Sequence, residues 1–204
     1  MEEKYLYVIF SSIPNKIGKL IRTLTRYPYN HLSISLDPEL KSMYSFARRY
    51  YSTPFYGGFV HESISRYHIR TKQSQVKLFR IPITLEQFNS LSRKLQTMLE
   101  NNEHYIYNHL SAITSIIHKN IKLTDAYMCI EFVVEILHSI GIQIDPKAYY
   151  SIRDLEKILH KFAIYTGPIP ETDMYDATFY TRKPLPHPWL ATIVAFIEQF
   201  QRFD

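Results

Sequence analysis

The chain has a single cysteine, Cys129, in the stretch "DAYMCIEF", where it opens the apolar segment "CIEFVVEILHSIG" that reads as a helix ending at Gly141. A thiol in the first turn of a helix meets unpaired backbone N–H groups and the positive end of the helix dipole. Both stabilise thiolate and lower the pKa of a cysteine from about 8.5. The same N–H groups can hold the oxyanion of a tetrahedral intermediate, so one position serves two catalytic needs. The competing reading is structural. Phe132, Val133, Ile136 and Leu137 mark a largely buried helix, and a lone cysteine there is usually an inert small hydrophobe.

A cysteine nucleophile needs an imidazole within hydrogen-bond reach to take and return a proton. Of nine histidines, His104, His109, His118, His138 and His160 lie on or beside predicted helices, where solvated or capping roles suffice. His61 and His68 fall in and beyond a glycine-flanked turn, and His187 lies in a proline-rich linker. His31 differs because it opens "HLSISLD", whose alternation puts Leu32, Ile34 and Leu36 on one face and His31, Ser33 and Ser35 on the other. That pattern predicts a half-buried strand. A base on a strand opposite a thiol at a helix start is the geometry of papain-like hydrolases.

The elements that must position this pair follow from periodicity. "YLYVIF" predicts a buried strand, and in "NKIGKLIRTLTR" Ile17, Leu20, Ile21 and Leu24 form an apolar helical stripe with Lys16, Lys19, Arg22 and Arg26 on the solvated face. "MYSFAR" predicts a strand pairing with "HLSIS" after an Asp-Pro turn, "FYGGFVHES" a turn, and "QVKLFRIPI" a strand ended by Pro82. Thr84 with Gln87 and Ser151 with Asp154 are capping boxes opening two helices. "YNHLSAITSIIHK" reads as helix and "AIYTGPIP" as strand. "TRKPLPHP" is an extended linker into a last helix with Pro188 in its first turn. The expected fold class is α+β in one domain, 1–204, sheet-rich over 1–83 and helix-rich over 84–204.

"YNHLSISLD", then "MYSFAR", and much later "MCIEFVVEILHSIG" resemble the circularly permuted branch of the papain-like NlpC/p-sixty superfamily, which includes YiiX-type bacterial proteins and lecithin:retinol acyltransferase. In that branch the histidine strand precedes the cysteine helix, as His31 precedes Cys129, and Cys129, Phe132 and Val133 match its C-x-x-F-V pattern. The resemblance implies a permuted papain-like fold, with a small, mainly antiparallel sheet packed against helices. It also implies a thiol hydrolase, an amidase or peptidase, acting through an acyl-enzyme on cell-wall-type peptides or related small amides. The family's third catalytic residue lies on the strand after the histidine strand, which here is Ser45. Ser45 is a departure from the longer His, Glu, Gln or Asn common there, and the alternative is that Glu62 or a backbone carbonyl orients the ring. Arg48, Tyr44 and Tyr127, with Arg49 beside the first, are the expected substrate-binding residues at the cleft. Tyr50, Tyr51, Phe55 and Phe59 could line a peptide groove or an acyl tunnel. A lipid-directed acyltransferase or phospholipase of the same fold and a catalytically silent binding domain are the competing functions.

Composition limits the partners. Twenty-four Lys and Arg against nineteen Asp and Glu give a net charge of +5, but little of it is clustered, and "FARRYYSTPFYGGF" is the nearest approach to a basic aromatic patch. No nucleic-acid partner is expected on this basis. No pair of His, Cys, Asp or Glu has metal-ligand spacing with a second pair, and "YGGF" lacks the lysine and following helix of a phosphate loop, so neither metal nor cofactor is expected. One cysteine cannot form an intrachain disulfide, and the six-residue apolar run after "MEEK" is too short for a secretory signal, so the expectation is a cytoplasmic protein without a membrane span. "PWLATIVAFIEQFQRF" is expected to dock as a helix rather than lie on a membrane.

Overall fold

A computed structural model describes residues 3–62, 64–69, 72–169, 183 and 185–203. The chain is α+β. Its larger sheet has eight strands: β1 (Lys4–Ser11), β2 (His31–Ser35), β3 (Met43–Tyr50), β4 (Thr53–His61), β7 (Gln75–Ile83), β8 (Ile106–Tyr107), β9 (Ala126–Tyr127) and β10 (Ala163–Pro168). They lie in the order β10-β7-β1-β2-β3-β4-β8-β9, antiparallel except for the β8–β9 pair. The short strands β5 (His68–Ile69) and β6 (Lys72–Gln73) pair separately. The helices are α1 (Lys16–Thr25), α2 (Leu85–Glu100), α3 (His109–Thr114), α4 (Cys129–Ser139), α5 (Ile152–Leu159) and α6 (Pro188–Phe200). The sheet is thus mainly antiparallel but larger than the small one expected, because three strands come from the helix-rich half.

Both faces of the sheet are covered, which decides how its strands are buried. On one face Leu6, Val8, Phe10, Leu32, Ile34 and Phe46 form a single core with residues of α2, α4 and α5. On the other, Ile9, Met43, Tyr67 and Val76 make a second cluster with Ile169. Every residue of β2 is therefore buried, and the alternation in "HLSIS" marks a polar interior face rather than a solvated one. Ser33 Oγ meets the buried Tyr67 hydroxyl at 3.0 Å, and Ser35 Oγ donates to the carbonyls of Asp37 and Ser42 at 2.9 and 2.7 Å.

Three expectations are corrected. "FYGGF" lies inside β4 rather than at a turn, and its glycines permit close packing rather than a reversal. A Cβ on Gly57 would come within 2.9 Å of the Ala47 carbonyl oxygen across the ladder, and one on Gly58 would collide with the Tyr105 carbonyl. In α1 two residues of the apolar stripe, Leu20 and Leu24, stay out of the core at 58% and 67% exposure, while Ile21 is half-buried. The strand of "QVKLFRIPI" also continues one residue past Pro82, whose partner is Tyr5 of β1.

The capping boxes at Thr84 and Ser151 are formed, and Pro188 is in the first turn of α6. Of the linker before α6, residues 181, 182 and 184 lie outside the described residues. α6 docks through Ala195, through Phe196 stacked on His109 (5.0 Å between rings), and through Gln199 Oε1, which accepts the His109 and Leu110 N–H groups at 2.8 and 3.0 Å. Among the described residues no helix is long and apolar enough to cross a membrane.

The helix that carries Cys129 is fixed by aromatic packing. Phe132, 1% exposed, lies 5.4 Å from the Phe46 ring and 5.7 Å from the Phe59 ring. Phe132→Ala should lower the unfolding free energy by about 3–5 kcal/mol, read from urea denaturation. A loss below about 1 kcal/mol would mean that α4 is not held by this contact.

Candidate active site

α4 begins where β9 ends, with Met128 as N-cap and Cys129 as its first residue. Glu131 in the first turn closes the helix start: its carboxylate accepts the Met128 N–H at 2.8 Å, the Ser111 hydroxyl at 2.9 Å and the Asn108 side-chain amide at 3.3 Å, with Lys122 Nζ at 3.8 Å. Cys129 is 9% exposed, and it packs in the core that contains Leu32 and Phe46.

His31 is the first residue of β2, opposite Ser11 of β1, and is 7% exposed. The pairing of β2 with β3 is confined to Ile34–Tyr44 and Ser35–Met43, so the two strands have parted at the level of His31. A closed ladder there would separate a side chain on the Ser33 face from a thiol on the Leu32 face; the gap gives them a common space. Cys129 lies near enough to the His31 ring to raise its pKa. His31 Nε2 lies 2.7 Å from Glu62 Oε1, so Nδ1 is the ring nitrogen that the carboxylate does not engage.

Glu62 follows β4 directly and its side chain has no exposed surface. Its Oε1 also accepts the Ser45 hydroxyl, and its Oε2 forms an ion pair with Arg66 Nε at 3.0 Å. Arg66 Nη1 in turn donates to the Arg48 carbonyl at 3.0 Å. Burial alone would raise the Glu62 pKa, but Arg66, then His31 and the hydrogen bonds from His31 and Ser45, bring it down to about 2. Burial would likewise push His31 down. The Glu62 carboxylate and the nearby Cys129 outweigh that and raise it to about 9, so the ring is charged at neutral pH.

The structure therefore brings Cys129 and His31 together, and it puts Glu62, not Ser45, on the imidazole. Ser45 touches the carboxylate and acts on the ring at one remove, because a hydroxyl on β3 is too short to reach past it. Tyr44 and Tyr127 sit in the aromatic wall beside α4: Tyr44 is stacked on Phe59 at 6.0 Å, and Tyr127 packs on Phe46 at 5.0 Å. Arg48 is not brought to the pair. Its guanidinium reaches the Tyr51 carbonyl at 3.3 Å at the far end of the β3–β4 hairpin, and only its own carbonyl supports the site. Arg49 is a buried clamp rather than a rim cation, donating to the carbonyls of Asn102 and Tyr105 and pairing with Glu103 at 2.6 Å. Phe59 is core, whereas Tyr51 and Phe55 are about half exposed.

Sequence reasoning weighed Glu62 behind Ser45 and missed Arg66. The available signal was the i, i+4 spacing in "HESISRY", which sets a guanidinium four positions after a carboxylate just beyond a strand. A cavity of about 540 Å³ lies between α6 and β4, lined by Arg49, Tyr56, Glu103, Leu190 and Val194 among others; neither Cys129 nor His31 lines it. Among the described residues no group of three or more His, Cys, Asp or Glu is arranged to hold a metal ion. Comparisons with protein-family models, curated proteins and solved structures give no match for this chain.

His31 titrates higher in the folded chain than in the unfolded one, so its contribution to stability is complete below about pH 6.5 and is lost as pH rises through about 9. Glu62 titrates lower when folded, so its contribution is complete above about pH 4.5 and is lost as pH falls through about 2. The Tm difference between the native chain and His31→Ala, measured by circular dichroism, should be largest between these limits and shrink towards pH 9.5. A difference that does not change from pH 6 to 9.5 would contradict a charged His31.

Proposed function

We propose that this protein is a thiol-dependent hydrolase, an amidase or peptidase that works through an acyl-enzyme, with Cys129 as nucleophile, His31 as acid and base, and Glu62 as the group that orients His31. The observation that carries this reading is the chain of contacts from a helix-start thiol to a histidine whose other nitrogen is held by a buried carboxylate. Each part meets a chemical need. A charged His31 beside Cys129 places a proton on the acid that will use it, next to the nucleophile.

The sulfur attacks the carbonyl carbon of an amide, and the oxyanion that forms is met by the first-turn N–H groups of α4. His31 passes its proton to the leaving nitrogen as the C–N bond breaks, leaving a thioester on Cys129 and an amine. Water then attacks the thioester, His31 takes one of its protons, and the acid leaves as the sulfur is regenerated. Glu62 keeps its charge throughout and stabilises the imidazolium on each side of the cycle. Peptides of the cell-wall type and related small amides are the substrates proposed, from the resemblance of the His31 and Cys129 segments to the permuted papain-like proteins.

Turnover of a peptide or amide panel, together with iodoacetamide labelling read by intact mass, tests the assignment. Cys129→Ala should abolish turnover and labelling, and His31→Ala should reduce kcat/KM by at least about a hundredfold. Glu62→Gln should lose about tenfold or more, whereas Ser45→Ala should lose less than Glu62→Gln because it removes only one neutral hydrogen bond to the carboxylate. A Cys129 that iodoacetamide does not label in the folded protein, or a His31→Ala variant labelled as fast as the native chain, would remove the proposal.

A further inference from the structure

The outward face of α1 carries Leu20, Leu24, Lys16 and Lys19 together in solvent. Gly18 is buried and seats the helix against the Ile13 carbonyl and the Asn30 side chain. Arg22 reaches inward as well, to the Ile13 carbonyl at 2.8 Å and Asn30 Oδ1 at 2.6 Å. At about 100° of rotation per residue, Leu20 stands about 160° from Gly18 and Leu24 about 120° from it. That placement accounts for their exposure of 58% and 67%. Lys16 and Lys19 are exposed beside them and Arg26 is exposed at the C-terminal end, while no acidic residue occurs from Lys16 to Arg26. Arg153 adds a further exposed cation, lying 5.4 Å from the Tyr27 ring and donating to the Arg26 carbonyl at 3.2 Å.

We propose that α1 docks the protein on an anionic lipid bilayer, with Leu20 and Leu24 entering the boundary between headgroups and acyl chains and Lys16, Lys19 and Arg26 meeting lipid phosphates. An apolar stripe flanked by unopposed cations is what an interfacial helix requires. Two features set this face apart from other occupants. Pairing α1 with a symmetry-related α1 would set Lys16 and Lys19 against like charges, which disfavours a second copy of the chain. The C-terminal helix α6 also exposes Trp189, Ile193 and Ile197, but between Pro188 and Phe200 it carries Glu198 and neither Lys nor Arg, so it lacks the charge complement. The docked face also sits at the His31 end of the sheet: Ser11 pairs with His31, and the Ser11 carbonyl accepts the N–H of Asn30 at 3.0 Å. The proposal does not depend on the thiol chemistry.

Flotation of the full chain with vesicles of phosphatidylcholine alone, and of phosphatidylcholine with one third phosphatidylglycerol, tests it. Binding to the anionic vesicles should exceed binding to the neutral ones by about tenfold or more and should fall at high salt. Leu20→Ser with Leu24→Ser, and separately Lys16→Glu with Lys19→Glu, should each weaken it by about tenfold or more, whereas Trp189→Ser with Ile197→Ser should leave it in place. All these positions are exposed, and unchanged melting curves would show that the variants fold. Equal partitioning on both vesicle types, retention of binding by the Leu20 and Leu24 variant, or equally tight binding to soluble polyglutamate would overturn the proposal. So would self-association of the native chain that the Leu20 and Leu24 substitutions abolish, since the face would then be an interface between copies.

Discussion

A fully buried carboxylate cannot stay charged without partners, and the arrangement around Glu62 follows from that constraint. Three side chains surround it: His31 and Ser45 on one oxygen, Arg66 facing the other. Arg66 supplies a permanent positive charge, so the carboxylate remains ionised when His31 gives up its proton. His31 is thereby held in one orientation through its Nε2. Remove the carboxylate and a guanidinium is left buried without its counter-ion; remove Arg66 and the charge of Glu62 depends on the protonation of a single histidine. The network is therefore coupled, and its members cannot be assigned independent energies.

The fold supplies this constraint with its geometry. β4 ends at His61, so Glu62 emerges beside the end of the ladder instead of within it. The parting of β2 and β3 then opens the sheet between Glu62 and α4. The β8–β9 pair runs directly into α4, so the helix start is anchored to the sheet edge two residues before Cys129. Phe46 and Phe59 on the sheet grip Phe132 one turn into the helix, which fixes where the first turn can point.

Much of this architecture could be read from periodicity and capping chemistry, because those signals are local. The alternation of Leu32 and Ile34 gives β2, and Thr84 with Gln87 gives the start of α2 within the residues involved. What periodicity does not carry is the identity of the neighbour across a gap. The serines beside His31 looked like a solvated face because nothing in "HLSIS" signals that Tyr67 covers them. Ser45 occupied the right strand position, yet a longer side chain from the next strand end reached the ring first. The glycines in β4 looked like a turn because their purpose, room for the Arg49 guanidinium from the neighbouring strand and for the Tyr105 carbonyl about fifty residues further along, is not local to them. In α1 the stripe was correct as a pattern and wrong as a direction, since an apolar face does not specify what will cover it.

The sequence separation of the paired groups has a kinetic consequence. His31, Ser45, Glu62 and Arg66 all come from the first third of the chain and are joined by hairpins, whose closure involves short loops. Cys129 comes about a hundred residues after His31, and its helix reaches the site only once α2, α3 and the β8–β9 pair have been laid down. During ribosomal synthesis the charged trio emerges first and the thiol last. The long-range closure that joins them carries the larger entropic cost, so Cys129 is the late arrival at a His31 already held in place.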